Sequence, residues 1–500
     1  MTADHTILRR LTAAIAAIAA GVALTACTAT VAPTASTQAT TTSATTAVAA
    51  LADNAESHAD ANDVDYDAAD AISITLADGA SKAGSTDGVT IEGDTITITA
   101  PGTYVLSGTL SDGQVVVNSD AEGKVRLVLD GASVTNSKGS ALVISAADEA
   151  VLVLADGSAN SLTDGTGYDT SAEDAPNAAL FSMADLTIGG TGSLTVTGNT
   201  NDGINTHDGL VILSGTITVT AKDDGIRGKD YLIIADGSVT VTAEGDGLKS
   251  DNEDDDTVGY LLVQAGAVTV AAGDDGAHAE GDLAIEGGTV TIATSTEGLE
   301  GATVTLAGGD TSVTASDDGL NATSGTAETE QEKMQDDGSL LTISGGTLVV
   351  TAEGDGLDSN GTLVITGGST VVNGPTGSGN GALDSNGGIT ITGGTLVAAG
   401  SAGMAESPGS GSTTGWLAVS FSTPVTAGQE VEIVKDGTVI ATYTAAKQAA
   451  TLVVADAAIT SGESYDVQVA GTKVATVTAG EALAGGMGGG PGGGRGGAPR

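Results

Sequence analysis

The sequence predicts an all-β fold: a parallel β-helix of about 13 coils with a period of roughly 22 residues, followed by a small C-terminal β domain or cap. Three observations predict it. Short segments of alternating Thr and Val or Ile recur along the chain, among them Thr216–Thr220, Ser238–Thr242 and Thr289–Ile292. An acid–glycine pair recurs beside them, at Gly203, Gly225, Gly247, Gly276, Gly298, Gly319 and Gly356, with spacings of 22, 22, 29, 22, 21 and 37 residues. Finally, 40% of the 500 residues are hydrophobic but only 2% are aromatic, as expected of a narrow core filled by small aliphatics from stacked coils.

Composition excludes several other classes. The chain carries 64 acidic and 16 basic residues, a net charge of −48, so it lacks the clustered Lys and Arg that phosphate contacts require and is no nucleic-acid binder. Gly, Ala, Thr, Ser, Val and Asp dominate in place of the Leu, Glu, Lys and Arg of helical enzymes. A mean hydropathy of +0.15 is too high for a chain disordered throughout.

In chain order, the first element is an address. Arg9 and Arg10 precede an Ala-rich apolar run, Leu11 to Leu24, and the segment ends Leu24-Thr25-Ala26-Cys27. Residues 1–26 therefore read as a bacterial lipoprotein signal, with Cys27 lipidated after cleavage; a plain secretory signal with an incidental cysteine is the alternative. Cys27 is the single cysteine of the chain. Lipidation explains why an exported protein keeps one thiol. The expected location is the outer face of the cell membrane, with the protein a lipid-anchored monomer. Residues 27–70, rich in Thr, Ala and Ser and then in acids, read as a flexible tether.

The repeat occupies residues 71–400. Period-two alternation of β-branched residues marks strands with one buried and one solvated side. Second strands such as Tyr231–Ile234, Leu283–Ile285 and Leu363–Ile365 follow the acid–glycine corners. Insertions are expected at about Asp251–Gly259 and Thr323–Gly338, where the spacing lengthens. A propeller blade needs about twice this period, and a leucine-rich repeat needs a Leu and Asn ladder that is absent. Only Pro176 lies between Gly102 and Gly374, which leaves the strands free to pair. Residues 401–415 read as a linker. Residues 416–480 hold longer strands, hairpin-like turns and the only Trp, and residues 481–500 read as a Gly-rich disordered tail.

The corners carry the chemistry. If equivalent positions stack, each acid before a glycine faces another about 5 Å away on the next coil. Two such charges repel by ~0.8 kcal/mol in water and by ~3 kcal/mol at an effective dielectric near 20. Solvation or bound cations must offset a whole row of them. Carboxylates and corner carbonyls are the hard oxygen ligands of Ca²⁺, and the candidate metal residues are Asp202, Asp223, Asp224, Asp246, Asp274, Asp275, Asp318 and Asp355. Alternatively, Asp-Gly recurs only because it makes good turns. A cationic island lies beside this row. Arg227 and Lys249 share one offset from their glycines, Lys229 is close by, and Asn205 and His278 flank them in the same column. These five residues are the candidate carbohydrate contacts, with Arg suited to fork a sugar carboxylate; alternatively the bases only neutralise neighbouring acids.

Several long stretches resemble one bacterial family: Thr95–Asp120 (TITITAPGTYVLSGTLSDGQVVVNSD), Val125–Ile144, Asn177–Leu210, DDGIRGKD at Asp223–Asp230 and GDGLKSDNEDDDTVGYLLV at Gly245–Val263. Residues 72–400 resemble the "carbohydrate-binding domain-containing" β-helix family, formerly of unknown function and related in fold to polysaccharide lyases. The resemblance implies a right-handed helix, cell-surface attachment, acid-coordinated calcium and binding of plant-type polysaccharides, pectin-like uronates included. Carried onto this chain, it places calcium at Asp202, Asp224, Asp246 and Asp275. Thr296-Glu297 in place of a double Asp, and Gly379-Asn380-Gly381 with no acid, depart from the pattern and put those rungs in doubt.

The expected function is non-catalytic binding of an acidic polysaccharide, polygalacturonate-like, through Ca²⁺. One alternative is a polysaccharide lyase acting by β-elimination, with Lys249 or Arg227 beside Asp224 and Asp246. Another is a structural spacer or adhesin. A flat aromatic platform for neutral glucan is hard to build from two Phe, seven Tyr and one Trp.

Overall fold

Alternation of Thr and Val sets the first of three stacked faces. In the computed structural model, which describes residues 51–172, 174–325, 329 and 334–483, Ser193–Gly198, Thr216–Ala221, Ser238–Ala243 and Ala267–Ala271 pair in parallel, rung on rung. The ladder continues through Thr289–Thr294, Asp310–Ala315, Thr347–Ala352 and Ser369–Asn373 to Thr395–Gly400. Along Thr216–Ala221 the Thr side chains are exposed while Ile217 and Val219 are buried, so the β-branched residues serve both faces. No helix occurs among the described residues, and the parallel ladders make a β-helix-like column. The signal segment, Cys27 and most of the Gly-rich tail lie outside the described residues.

The second face contains Gly209–Ile212, Tyr231–Ile234, Tyr260–Val263 and Asp282–Ile285, again parallel and in register. The first three of these strands are buried on both sides. Their inward residues, Leu210, Leu232 and Leu261, join the main core. Their outward residues, Val211, Tyr231, Ile233, Tyr260 and Leu262, form a separate apolar cluster. What covers that cluster is the segment read above as tether. Leu51 and Ala59 pack on it, and Tyr260 donates to the Ala55 carbonyl at 3.0 Å. His58 Nδ1 lies 2.7 Å from the Tyr231 hydroxyl and 3.1 Å from Asp185, while its Nε2 lies 3.0 Å from Thr187 Oγ1. Lys124 bonds both Asp63 and Glu149, and Arg126 Nε donates to the Asp63 carbonyl at 2.7 Å. Residues 51–64 are therefore a strap bound along the column and not a free tether. Burial of the second face's outer side depends on it.

The third face is built of short strands, Asp202–Thr206, Ile226–Gly228, Leu248–Ser250, Ala277–Ala279, Leu299–Gly301, Leu320–Ala322 and Leu357–Ser359. It carries the acid–glycine pairs at its entry. Beyond the last rungs, Ala449–Ala455 pairs antiparallel with Thr395–Gly400 and with Trp416–Val425, so the C-terminal strands join the end of the first face directly. A four-stranded antiparallel sheet, from Thr438–Thr444 through Glu430–Lys435 and Ser464–Val469 to Thr472–Thr478, completes the chain's described part. Tyr443 reaches back to donate to Asn373 Oδ1 at 3.0 Å.

Candidate functional site: the carboxylate ladder of the third face

Two different demands place glycine in this column. At the corners between second and first faces, Gly237, Gly266 and Gly288 adopt φ of 106°, 84° and 78°, where a side chain is strained. The glycines after the acids are not among the positive-φ residues. They are required by close approach. A Cβ on Gly225 would sit 2.2 Å from Val241 Cγ1 and 2.6 Å from the Gly247 carbonyl, and one on Gly247 2.1 Å from Val270 Cγ1. Turn propensity is thus not why Asp-Gly recurs; packing of the third face onto the first is.

The acid has an equally local reason. Asp202 Oδ1 accepts the backbone N–H of Asp224 at 3.2 Å, Asp224 Oδ1 that of Asp246 at 2.9 Å, and Asp246 Oδ1 that of Asp275 at 2.9 Å. Below, Asp318 Oδ1 accepts from Asp355 N at 2.5 Å, and Asp355 bonds the N–H of Gly381 at the same distance. Each of these five carboxylates satisfies a backbone donor of the next coil, which a buried N–H needs. Its second oxygen is left for other partners.

Those partners vary along the column. Asp202, 2% exposed, accepts from Asn177 at 3.0 Å and Asn205 at 2.6 Å. Burial, with Asp224 adding to it, pushes its carboxyl up to about 7. Lys249 Nζ bridges Asp246 Oδ2 at 2.7 Å and Asp224 Oδ2 at 3.1 Å. Burial opposes that ammonium's charge, but the two carboxylates outweigh it and hold the group above the ordinary lysine range. His278 Nδ1 lies 3.1 Å from Asp275 Oδ2. Asp223, Asp274 and Asp317 are the exposed outer members of the doubled acids. Toward the lower end, burial raises Asp318 to about 7 and Asp355 to about 6. Burial and the carboxylates of Asp318, Asp384 and Asp355 raise Asp358 to about 9.

The residue two positions after each glycine forms a second column. Asn205, Arg227, Lys249, His278, Glu300, Asn321 and Asp358 are successive register partners, which brings together the five residues expected to contact sugar, Lys229 excepted. They are not a free cationic patch. Lys249 is spent on the ladder, and Arg227 Nε donates to both oxygens of Asp251 at 2.9 and 3.1 Å. Lys229 lies 4.0 Å from Asp254, so the acidic insertion after Ser250 serves the cations. Asn205 is fully buried and bonds Asp202 and Asn177. Arg227 and Lys229 do line a cleft of about 300 Å³ with Asn177 and His207. Sequence reasoning left out Glu300, Asn321 and Asp358, although the offset that picks out Arg227 and Lys249 also picks out these three.

Two groups of side chains place three ligand atoms within 4.8 Å of one another: Asp246, Asp274 and Asp275, and separately Asp275, His278 and Glu300. The first group is all carboxylate oxygen and fits Ca²⁺. It draws on the residues expected to bind metal. Among the described residues the other expected ligands form no such group.

The polar ladder thus lies on the third face of a β-helix-like column, and this part of the chain is similar to known proteins. The family model described as "Carbohydrate-binding domain-containing protein" matches residues 92–332, and that stretch belongs to the family. The chain is 37% identical over 142 residues to a "Carbohydrate-binding domain-containing protein" of Acetivibrio thermocellus, a match covering 28% of this chain and 50% of that protein. The chain thus spans half the length of this relative. It is also similar to a solved "polysaccharide lyase-like protein from C. thermocellum, Gadolinium derivative", 33% identical, covering 48% of this chain and 93% of that one, with a TM-score of 0.43.

Proposed function

We propose that this chain is a non-catalytic, cell-surface carbohydrate-binding protein, lipid-anchored at Cys27, that holds acidic polysaccharide of the pectin type through Ca²⁺. One observation carries the reading: Asp246, Asp274 and Asp275 converge at the surface of the ladder, with Asp274 exposed. Ca²⁺ takes six to eight oxygen ligands, so three carboxylates leave positions for water and for sugar oxygens. A polyanion approaches a chain of net charge −48 only where cations intervene. The cleft beside Arg227 and Lys229 offers the nearest positive charge for a further sugar carboxylate.

Catalysis by β-elimination needs an unprotonated base. Lys249, the natural choice on this face, is held protonated by Asp224 and Asp246, which favours binding over lyase chemistry. The test is retention of the full chain on immobilised polygalacturonate with Ca²⁺ and then with EDTA, while absorbance is followed for unsaturated product. Retention in Ca²⁺, release in EDTA and no product are expected. Retention unchanged in EDTA would refute the calcium mechanism, and product formation would refute the non-catalytic role.

A further inference from the structure

The carboxylate ladder that runs from Asp202 to Asp275 resumes only between Asp318 and Asp355. At the interruption, Glu297 replaces the aspartate and a different constellation gathers. His278 Nδ1 lies 3.1 Å from Asp275 Oδ2 and 3.9 Å from Glu300 Oε1, and one ligand atom from each residue falls within a 4.8 Å group. Register enforces the meeting, since His278 and Glu300 face each other on successive rungs and Asp275 stands three residues before His278. One rung further on, Asn321 Nδ2 donates to Glu297 Oε2 at 2.9 Å, while its Oδ1 is buried with no hydrogen-bond partner among the described residues. The Asn321 amide thus lies against the Glu297 and Glu300 carboxylates, and its unpaired oxygen is a lone-pair donor at the rung next to the cluster. Lys249, on the rung before His278, does not compete for these carboxylates, because it is paired with Asp224 and Asp246.

The donor set differs in kind from the rest of the ladder. Ca²⁺ selects hard oxygens, whereas one imidazole nitrogen with two carboxylates suits a borderline divalent transition metal such as Zn²⁺. We propose that Asp275, His278 and Glu300 bind such a metal at the interruption of the ladder. This site shares Asp275 with the Ca²⁺ group proposed above, and His278 and Glu300 are what set it apart. The competing arrangement is a protonated His278 that only bridges two carboxylates.

The experiment uses the metal-free full chain. Zn²⁺ is titrated calorimetrically in excess Ca²⁺, and Cu²⁺ serves as an electron paramagnetic resonance probe of the donor atoms. Zn²⁺ should bind despite the Ca²⁺, and both His278→Asn and Glu300→Gln should weaken it by about tenfold or more, as loss of a ligand requires. The Cu²⁺ spectrum should show coupling to one imidazole nitrogen, lost in His278→Asn and kept in His207→Asn. Displacement of Zn²⁺ by Ca²⁺, absence of nitrogen coupling, or its survival in His278→Asn would overturn the proposal. If His278→Asn fails to fold, undiminished Zn²⁺ affinity in Glu300→Gln would still overturn it.

Discussion

Replacing Lys249 by Met removes one charge and little volume from the centre of the ladder. The ammonium lies 2.7 Å from Asp246 and 3.1 Å from Asp224; its side chain is 24% exposed and theirs 8% and 11%. Deleting one member of a buried ion pair costs about 3–5 kcal/mol. Partial exposure of Lys249 brings that to about 2–3 kcal/mol here. A stacked column unfolds locally as well as globally, so the loss should concentrate at the neighbouring rungs. Hydrogen exchange of the Asp246 and Asp275 amides, both bonded to ladder carboxylates, reads it directly. Without Ca²⁺, Lys249→Met should reduce their protection by about 30- to 150-fold, at tenfold per 1.4 kcal/mol. Added Ca²⁺ should restore protection more in the variant than in the native chain, because binding stabilises by mass action. Protection within about threefold of native in EDTA would show that Lys249 is only a solvated surface lysine, and the reasoning would fail.

Two further outcomes follow from the same geometry. Asp202 and Asp318 have folded pKa values of about 7 and Asp355 of about 6, against 3.8 unfolded. The folded state binds these protons more tightly, so their stabilising effect is complete below pH ~4 and is lost as pH rises through 6–7. The chain in EDTA should therefore melt lower at pH 8 than at pH 5, and Ca²⁺ should narrow the gap; a higher melting temperature at pH 8 in EDTA would contradict this. Gly247→Ala should destabilise by about 1–3 kcal/mol through overpacking, since the new Cβ would lie 2.1 Å from Val270 Cγ1. Gly377→Ala, with nothing within 4 Å of its Cβ, should stay within about 0.5 kcal/mol of native. Equal denaturant midpoints for the two variants would refute the packing argument.

Much of the column was legible because its signals are local. Thr–Val alternation marks the first face wherever it occurs, and equal spacing from glycine places Arg227, Lys249 and His278 in one register, as the structure has them. What escaped depends on partners distant in sequence. The strap has the Ala- and Asp-rich composition of a linker, while the surface it covers, Tyr231 and Tyr260, lies about 170 to 200 residues away. From sequence, turn chemistry is one alternative for the corner glycines, and their close approach is hidden because the valines they abut belong to another face. Spacing showed that the cations stack but not that Asp251 and the ladder itself consume them. Glu297 read as a doubtful rung because it breaks the pattern. That break is where an imidazole and two carboxylates converge.

The most direct test of the account titrates polygalacturonate calorimetrically into the full chain in saturating Ca²⁺, beside the Asp246→Asn, Asp274→Asn double variant. Asn at position 246 keeps an oxygen to accept the Asp275 N–H, so the ladder's backbone support survives while two ligand charges go. The account predicts binding by the native chain and its loss in the variant, which also melts lower in EDTA because Lys249 loses its nearer partner. Native affinity in the variant would contradict it.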